Sequence, residues 1–185
     1  MANKNILFFL FVLIFVIFIS MNDSQAKTGV TLNKDMKDVL IQVCREASLV
    51  AKSDLNVEMR NYLDENKENY STVLKGDFNG DKLGDIALLV KCKSKNTKGV
   101  RSTEKLAILL QEAGGKYRII VLEEYPYIDD SIYLRAITLG KIIREFDSSK
   151  KIILRNIGIE RIYFEKSSGV FYWENGQFHY IQTSD

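Results

Sequence analysis

Ile86-Ala87-Leu88-Leu89-Val90 is an unbroken apolar run, and it limits the folds open to this chain more than any other segment. A strand with one wet face alternates polar and apolar residues, so a short continuous run reads as a central strand covered on both faces. Leu106 to Leu110 is a second such run and Tyr117 to Leu122 a third. Gly114-Gly115 between the last two supplies the backbone freedom of a hairpin. The three segments are expected to form an antiparallel meander, with a long polar connection over 93–103 carrying Lys93, Lys95, Lys98 and Arg101.

The last forty residues are strand-like again, over Lys151–Leu154, Arg161–Glu165, Val170–Trp173 and Phe178–Gln182, with Glu174-Asn175-Gly176 closing the final pair as a tight hairpin. Ile132, Leu134, Ile137, Ile142 and Ile143 fit either a helix or a strand; Gly140 weakens a helix, and the reading leans to strand. Ahead of all these, Met36, Leu40, Val43, Ala47 and Val50 recur at helical steps and predict a helix over 33–52, with Asn33 as N-cap and Asp35 in its first turn. A second helix is expected over 55–67, with Leu55, Met59, Tyr62 and Leu63 on one face and a polar tail, Asp64-Glu65-Asn66-Lys67. Helices followed by strands predict an α+β class, with N-terminal helices packed on a mainly antiparallel β-sheet.

The N-terminus reads as an export signal. Lys4 precedes fourteen consecutive apolar residues, Ile6 to Ile19, too few to span a bilayer, and Ser24-Gln25-Ala26 places small residues where a signal peptidase reads them. Cleavage near Ala26 would leave a mature chain of 159 residues in the periplasm or outside the cell; the alternative is an uncleaved anchor that recruits Ser20 and Met21. No span is expected in the mature chain. Residues 27–185 suffice for one domain, since a chain of this size buries roughly two thirds of its unfolded surface. The mature balance of 25 basic against 23 acidic residues does not resemble a nucleic-acid-binding composition. Export makes a disulfide chemically permissible, and Cys44 and Cys92 have one possible pairing. Both also lie on apolar stretches, where free cysteines pack as small hydrophobes, so bridge and packed thiols both stand, with the weight on packed thiols.

The segment Gly76-Asp77-Phe78-Asn79-Gly80-Asp81-Lys82-Leu83-Gly84-Asp85 leads straight into the first apolar run. Counting Asp77 as the first position, oxygen-bearing side chains fall at the first, third, fifth and ninth: Asp77, Asn79, Asp81 and Asp85. A hard cation such as Ca²⁺ wants six to eight oxygens, and Leu83 offers a backbone carbonyl at the seventh. Three carboxylates this close would repel one another without a cation. The alternative is a metal-free turn in which the aspartates bond backbone amides.

This spacing resembles the calcium loops of FG-GAP and VCBS-type repeats over about fifteen residues, Gly76 to Val90. It departs at Lys82, where those loops have glycine, so Lys82 must accept an unusual backbone angle. Leu88 stands where an EF-hand would place glutamate. A propeller of such repeats needs several copies, and this chain has one. It is similar instead to small exported bacterial proteins with a single motif, whose C-terminal stretch resembles LRNIGIERIYFEKSSGVFYWENGQFHYIQTSD, Leu154 to Asp185. That resemblance implies fold and compartment and is silent on activity.

Other constellations point less firmly. His179 is the only histidine and reads as an ordinary strand residue rather than a catalytic one. Glu123-Glu124 and Asp129-Asp130 flank Tyr125-Pro126-Tyr127 and read mainly as a solvated loop. Phe171, Tyr172, Trp173, Phe178 and Tyr180 alternate around the final hairpin, half toward core and half toward surface, where an exposed patch could meet a partner or glycan. The leading expectation is a non-enzymatic exported binding or interaction module with a weak structural calcium loop, meeting a protein or envelope ligand. The alternatives are a hydrolase of envelope material and a metal-free structural envelope protein. A cleft joining the 123–130 acids to the aromatic hairpin would favour the hydrolase.

Overall fold

The structure, a computed structural model, describes residues 32–66, 71–96, 99–127 and 129–185. The export segment 1–26 with its cleavage point, Lys67 and residues 97–98 lie outside the described residues. Two short helices, α1 (Lys34–Leu40) and α2 (Val57–Glu65), lead into strands β2 (Val73–Gly76), β3 (Asp85–Asn96), β4 (Gly99–Gln111), β5 (Tyr117–Tyr125) and β6 (Ile132–Ile137). A small ribbon, β7 (Ile142–Arg144) and β8 (Lys151–Ile153), precedes β9 (Gly158–Tyr163), β10 (Ser167–Glu174) and β11 (Gln177–Ser184). Every pairing among the described residues is antiparallel, as expected, but the strands divide into two sheets and a ribbon rather than forming one sheet.

The predicted helix over 33–52 is only half helix. Asn33 caps α1 by accepting a 2.9 Å bond from the Met36 amide, as its position suggested. The helix stops at Leu40, however, and residues Glu46–Leu49 form β1, which pairs with Val90–Lys93 of β3. The apolar spacing that suggested one stripe serves two faces instead. Met36, Leu40 and Cys44 pack on one side of the sheet, Ala47 is exposed, and Val50 enters the core on the other side. The edge of β3 offers unpaired backbone groups, and satisfying them outweighs helix propensity over this stretch. Cys44 and Cys92 are joined in a disulfide with Cα atoms 5.3 Å apart, so the weight placed on packed thiols is corrected. Both cysteines are nonetheless buried among apolar side chains.

The connection expected over 93–103 is also corrected. β3 and β4 stay in register from Ile86↔Leu109 to Asn96↔Gly99. Apolar runs report burial, whereas ladder bonds join backbones whatever the side chains, so the strands outlast their apolar stretch. The meander β3-β4-β5 and its hairpin at Gly114-Gly115 form as expected, both glycines at positive φ. At the second hairpin Asn175 and Gly176 both take positive φ, as a two-residue turn with matching twist demands. Within 131–146 the strand reading holds for β6 and β7, with a turn at Leu139-Gly140 between them.

Two sheets enclose the core. One has order β1-β3-β4-β5 with β2 also on β3; the other has order β11-β10-β9-β6. Between them Ala87, Leu89, Leu106, Ile108 and Leu110 meet Ile132, Leu134, Ile159 and Phe171. The opposite face of the first sheet, with Ile86, Leu88, Val90 and Leu109, contacts Met36 and Leu40. That double burial is why β3 and β4 carry unbroken apolar runs. Outside the second sheet, Leu55, Met59 and Leu63 meet Tyr133, while Ile143 of the ribbon joins Ile137, Val170 and Ile181. The sheets are linked on one side, where the Leu134 amide donates to the Ser71 carbonyl at 2.8 Å. On the other side β5 and β11 are the outermost strands, and a gap remains.

Candidate functional site

The aspartate loop joins β2 to β3, and its two ends are register partners, Gly76↔Asp85. Phe78 is wholly buried in the core and anchors it. Asp77 accepts from the Gly80 amide at 2.7 Å and the Lys82 amide at 2.9 Å. Asn79 accepts from the Asp81 amide at 3.0 Å and donates to the Asp81 carboxylate at 2.8 Å, and Asp81 accepts from the Leu83 amide at 2.8 Å. Asp85 turns inward, is fully buried, and accepts from the amides of Phe78 at 2.9 Å and Gln111 at 3.0 Å. Burial raises its carboxyl above the ordinary range against the pull of those amides. Lys82 takes φ 69°, the unusual angle its position required.

Three of the four named side chains therefore gather at the turn, while Asp85 fastens the loop to β4. Among the described residues, no three acidic, histidine or cysteine side chains stand together as a metal-holding group. The bonds drawn are those of an Asx-rich turn. An ionised carboxylate has about four lone-pair sites, so each aspartate retains acceptors beyond its amide partners, and the donor set is the hard-oxygen type that calcium takes.

A second polar group lies at one end of the core, and the sequence reading missed it. Lys91 and Glu104 are register partners on β3 and β4. Lys91 pairs with Asp54 at 2.5 Å. Glu104 is fully buried; one carboxyl oxygen accepts from the Asp129 amide at 3.3 Å and the other has no partner among the described residues. Burial pushes its pKa up to about 8 against the pull of the Asp129 amide and of Lys91, with the Asp129 and Asp54 charges adding to the rise. Elsewhere the Arg161 guanidinium grips both oxygens of Glu123 at 2.5 and 2.7 Å, donates to the Tyr180 hydroxyl at 2.7 Å and lies 4.5 Å over the Tyr163 ring. The signal was available: Lys91 follows Ala87 and Leu89 at steps of two, and Glu104 precedes Leu106, so both charges are in phase with the core face.

The acids of 123–130 do not converge on one place. Glu123 is held by Arg161 and Tyr125, Glu124 reaches Lys105 at 3.1 Å, and Asp129 bonds the Ser131 amide at 2.9 Å. His179 lies on β11, stacks on Tyr172 with ring centroids 5.6 Å apart and lines the groove between β5 and β11. The aromatic residues of the final hairpin supply a groove. In the gap between β5 and β11, a space of 530 Å³ has Arg118, Ile120, Leu122, Trp173, Phe178 and Tyr180 in its lining. Among the described residues, no carboxylate lines it.

Fold and site together define a mainly antiparallel β protein with an aspartate-rich turn, a buried polar cluster and an aromatic groove between two terminal strands. No protein-family model, no curated protein and no solved structure matches the chain.

Proposed function

We propose that this chain is an exported, non-enzymatic binding module, a single α+β domain whose N-terminal helices pack on the sheet and whose groove between β5 and β11 receives an extended ligand. The observation that carries the reading is the groove itself: aromatic walls, two terminal strand edges and, among the described residues, no carboxylate in its lining. Strand edges offer unpaired backbone groups to an extended segment, and aromatic rings offer apolar area at low entropic cost. The Cys44–Cys92 disulfide supports an oxidising compartment, as export and cleavage near Ala26 would supply. Calcium, held weakly by Asp77, Asn79 and Asp81 with the Leu83 carbonyl, and by Asp85 from behind, would pin the turn ahead of β3 and take no part in chemistry.

Trp173 is the chain's only tryptophan and lines the groove, so its fluorescence reports occupancy directly. Titration with fractionated envelope material should shift its emission in one fraction, and Phe178→Ala should abolish the response. Emission unmoved by every fraction would remove the groove from the proposal. Hydrolysis of envelope material is the alternative, and Glu104 favours it, since a carboxyl raised to about 8 is suited to act as a general acid. Its carboxyl has no exposed surface, however, which favours binding.

A further inference from the structure

The β7–β8 ribbon breaks two local rules at once. Its inner face behaves normally, with Ile143 and Ile152 facing each other over the second sheet. On its outer face Ile142 stands directly across from Ile153, and the two are 55% and 64% exposed. Leu139, in the turn just before β7, is 67% exposed. Single exposed apolar residues are ordinary, but an exposed cross-strand pair, with a further exposed leucine three residues ahead of it in sequence, is a patch, and patches mark interaction surfaces. One step along the same face Arg144 stands directly across from Lys151, both exposed. Like charges placed opposite each other destabilise a ladder. Glu145 is spoken for by Lys150 at 3.7 Å, and among the described residues no acidic side chain pairs with Lys141, Arg144 or Lys151.

Residues 139–155 carry five bases against two acids, a larger positive excess than the +2 of the entire chain. A soluble anionic partner would account for the bases and leave the isoleucines in water. A second copy of the ribbon would cover the isoleucines and bring like charges together. An anionic bilayer surface does both: phosphate headgroups neutralise the bases while apolar side chains enter the acyl boundary. We propose that the outer face of the β7–β8 ribbon docks this protein on the surface of an anionic lipid bilayer, with Ile142 and Ile153 inserted and Arg144 and Lys151 at the headgroups. No helix among the described residues is long and apolar enough to cross a membrane, and the attachment is peripheral and reversible. It does not rest on the groove or on calcium.

Cosedimentation with vesicles tests this, using the chain from residue 27, the mature form that cleavage near Ala26 would give, so that the apolar N-terminal run is absent. Binding is expected on phosphatidylcholine vesicles containing phosphatidylglycerol, and it should fall on pure phosphatidylcholine and at high salt. Removing two headgroup charges with Arg144→Gln and Lys151→Gln should weaken binding roughly 25-fold, about fivefold for each charge. Ile142→Ser with Ile153→Ser should weaken it comparably, and both pairs should melt like the parent because the changed side chains are exposed. Absence of any phosphatidylglycerol-dependent binding overturns the proposal. So does binding lost with the charge pair but kept with the serine pair, which would make the ribbon a polyanion site. A dimer in ultracentrifugation that the serine pair dissolves would assign the patch to self-association and overturn it equally.

Discussion

Gly169 of β10 lies directly under the ring of Tyr180 on β11, so close that a Cβ at position 169 would overlap the tyrosine ring. That fit lets the Tyr180 hydroxyl reach Arg161 at 2.7 Å, and Arg161 in turn holds Glu123 of the other sheet. Gly169→Ala should therefore push Tyr180 off its seat and cost roughly 1–3 kcal/mol, the usual scale of overpacking. Urea unfolding gives the number. Tyr180→Phe, which keeps the ring and removes the hydroxyl, should cost only about 1 kcal/mol. Equal losses in the two variants would show that the ring's position is not what matters.

The disulfide joins residues 48 apart in sequence and ties the α1–β1 segment to β3. Closing a loop of that length typically stabilises a domain by about 2–4 kcal/mol. Cys44→Ser with Cys92→Ser should lower the urea midpoint accordingly. Denatured, unreduced protein should show no reactive thiol.

Glu104 makes stability fall as pH rises. Its pKa is pushed from 4.5 unfolded to about 8 in the native protein, so between those values the folded state holds a proton that the unfolded state releases. The native state binds more protons there, and stability declines across the window and levels off above about pH 8. Glu104→Gln, neutral at every pH, should leave stability almost unchanged below pH 4.5 and raise it near pH 8, on the order of a few kcal/mol. Thermal melts of both proteins at several pH values would reveal parallel curves if the carboxyl is in fact solvated.

Calcium should raise the melting temperature only at high concentration. Extracellular calcium modules work at about 10⁻⁴–10⁻³ M, and on the proposed reading Asp81→Ala should abolish the shift. Calorimetric titration that gives no heat at several times that concentration would remove the metal.

Lys82 holds a backbone angle of φ 69°, which a side chain disfavours and glycine accepts freely. Lys82→Gly should thus be neutral or stabilising by up to about 1 kcal/mol, unlike glycine at most loop positions. Paired urea curves for Lys82→Gly and Lys82→Ala would separate relief of strain from loss of the lysine side chain.

Burial on both faces was legible in Ile86–Val90 and Leu106–Leu110, because a strand with no wet side has no reason to alternate. The two hairpins were legible in Gly114-Gly115 and Asn175-Gly176, because their positive φ angles exclude most residues. Asn33 announced its cap and Lys82 its awkward angle. These are local constraints, satisfied or violated within a few residues of chain, and the sequence by itself determined them.

What lay beyond reach was decided by partners distant in sequence. Residues Glu46–Leu49 carry helical spacing, yet pair with Val90–Lys93 because that edge was open. Cys44 meets Cys92 only once that pairing has formed. Lys91, Glu104, Asp129 and Asp54 come from four separate segments, and the groove needs β5 and β11 to end two different sheets. Tertiary structure alone settled these matters, since a backbone edge or a buried charge takes whatever group the folded chain brings to it, and local spacing carries no record of which group arrives.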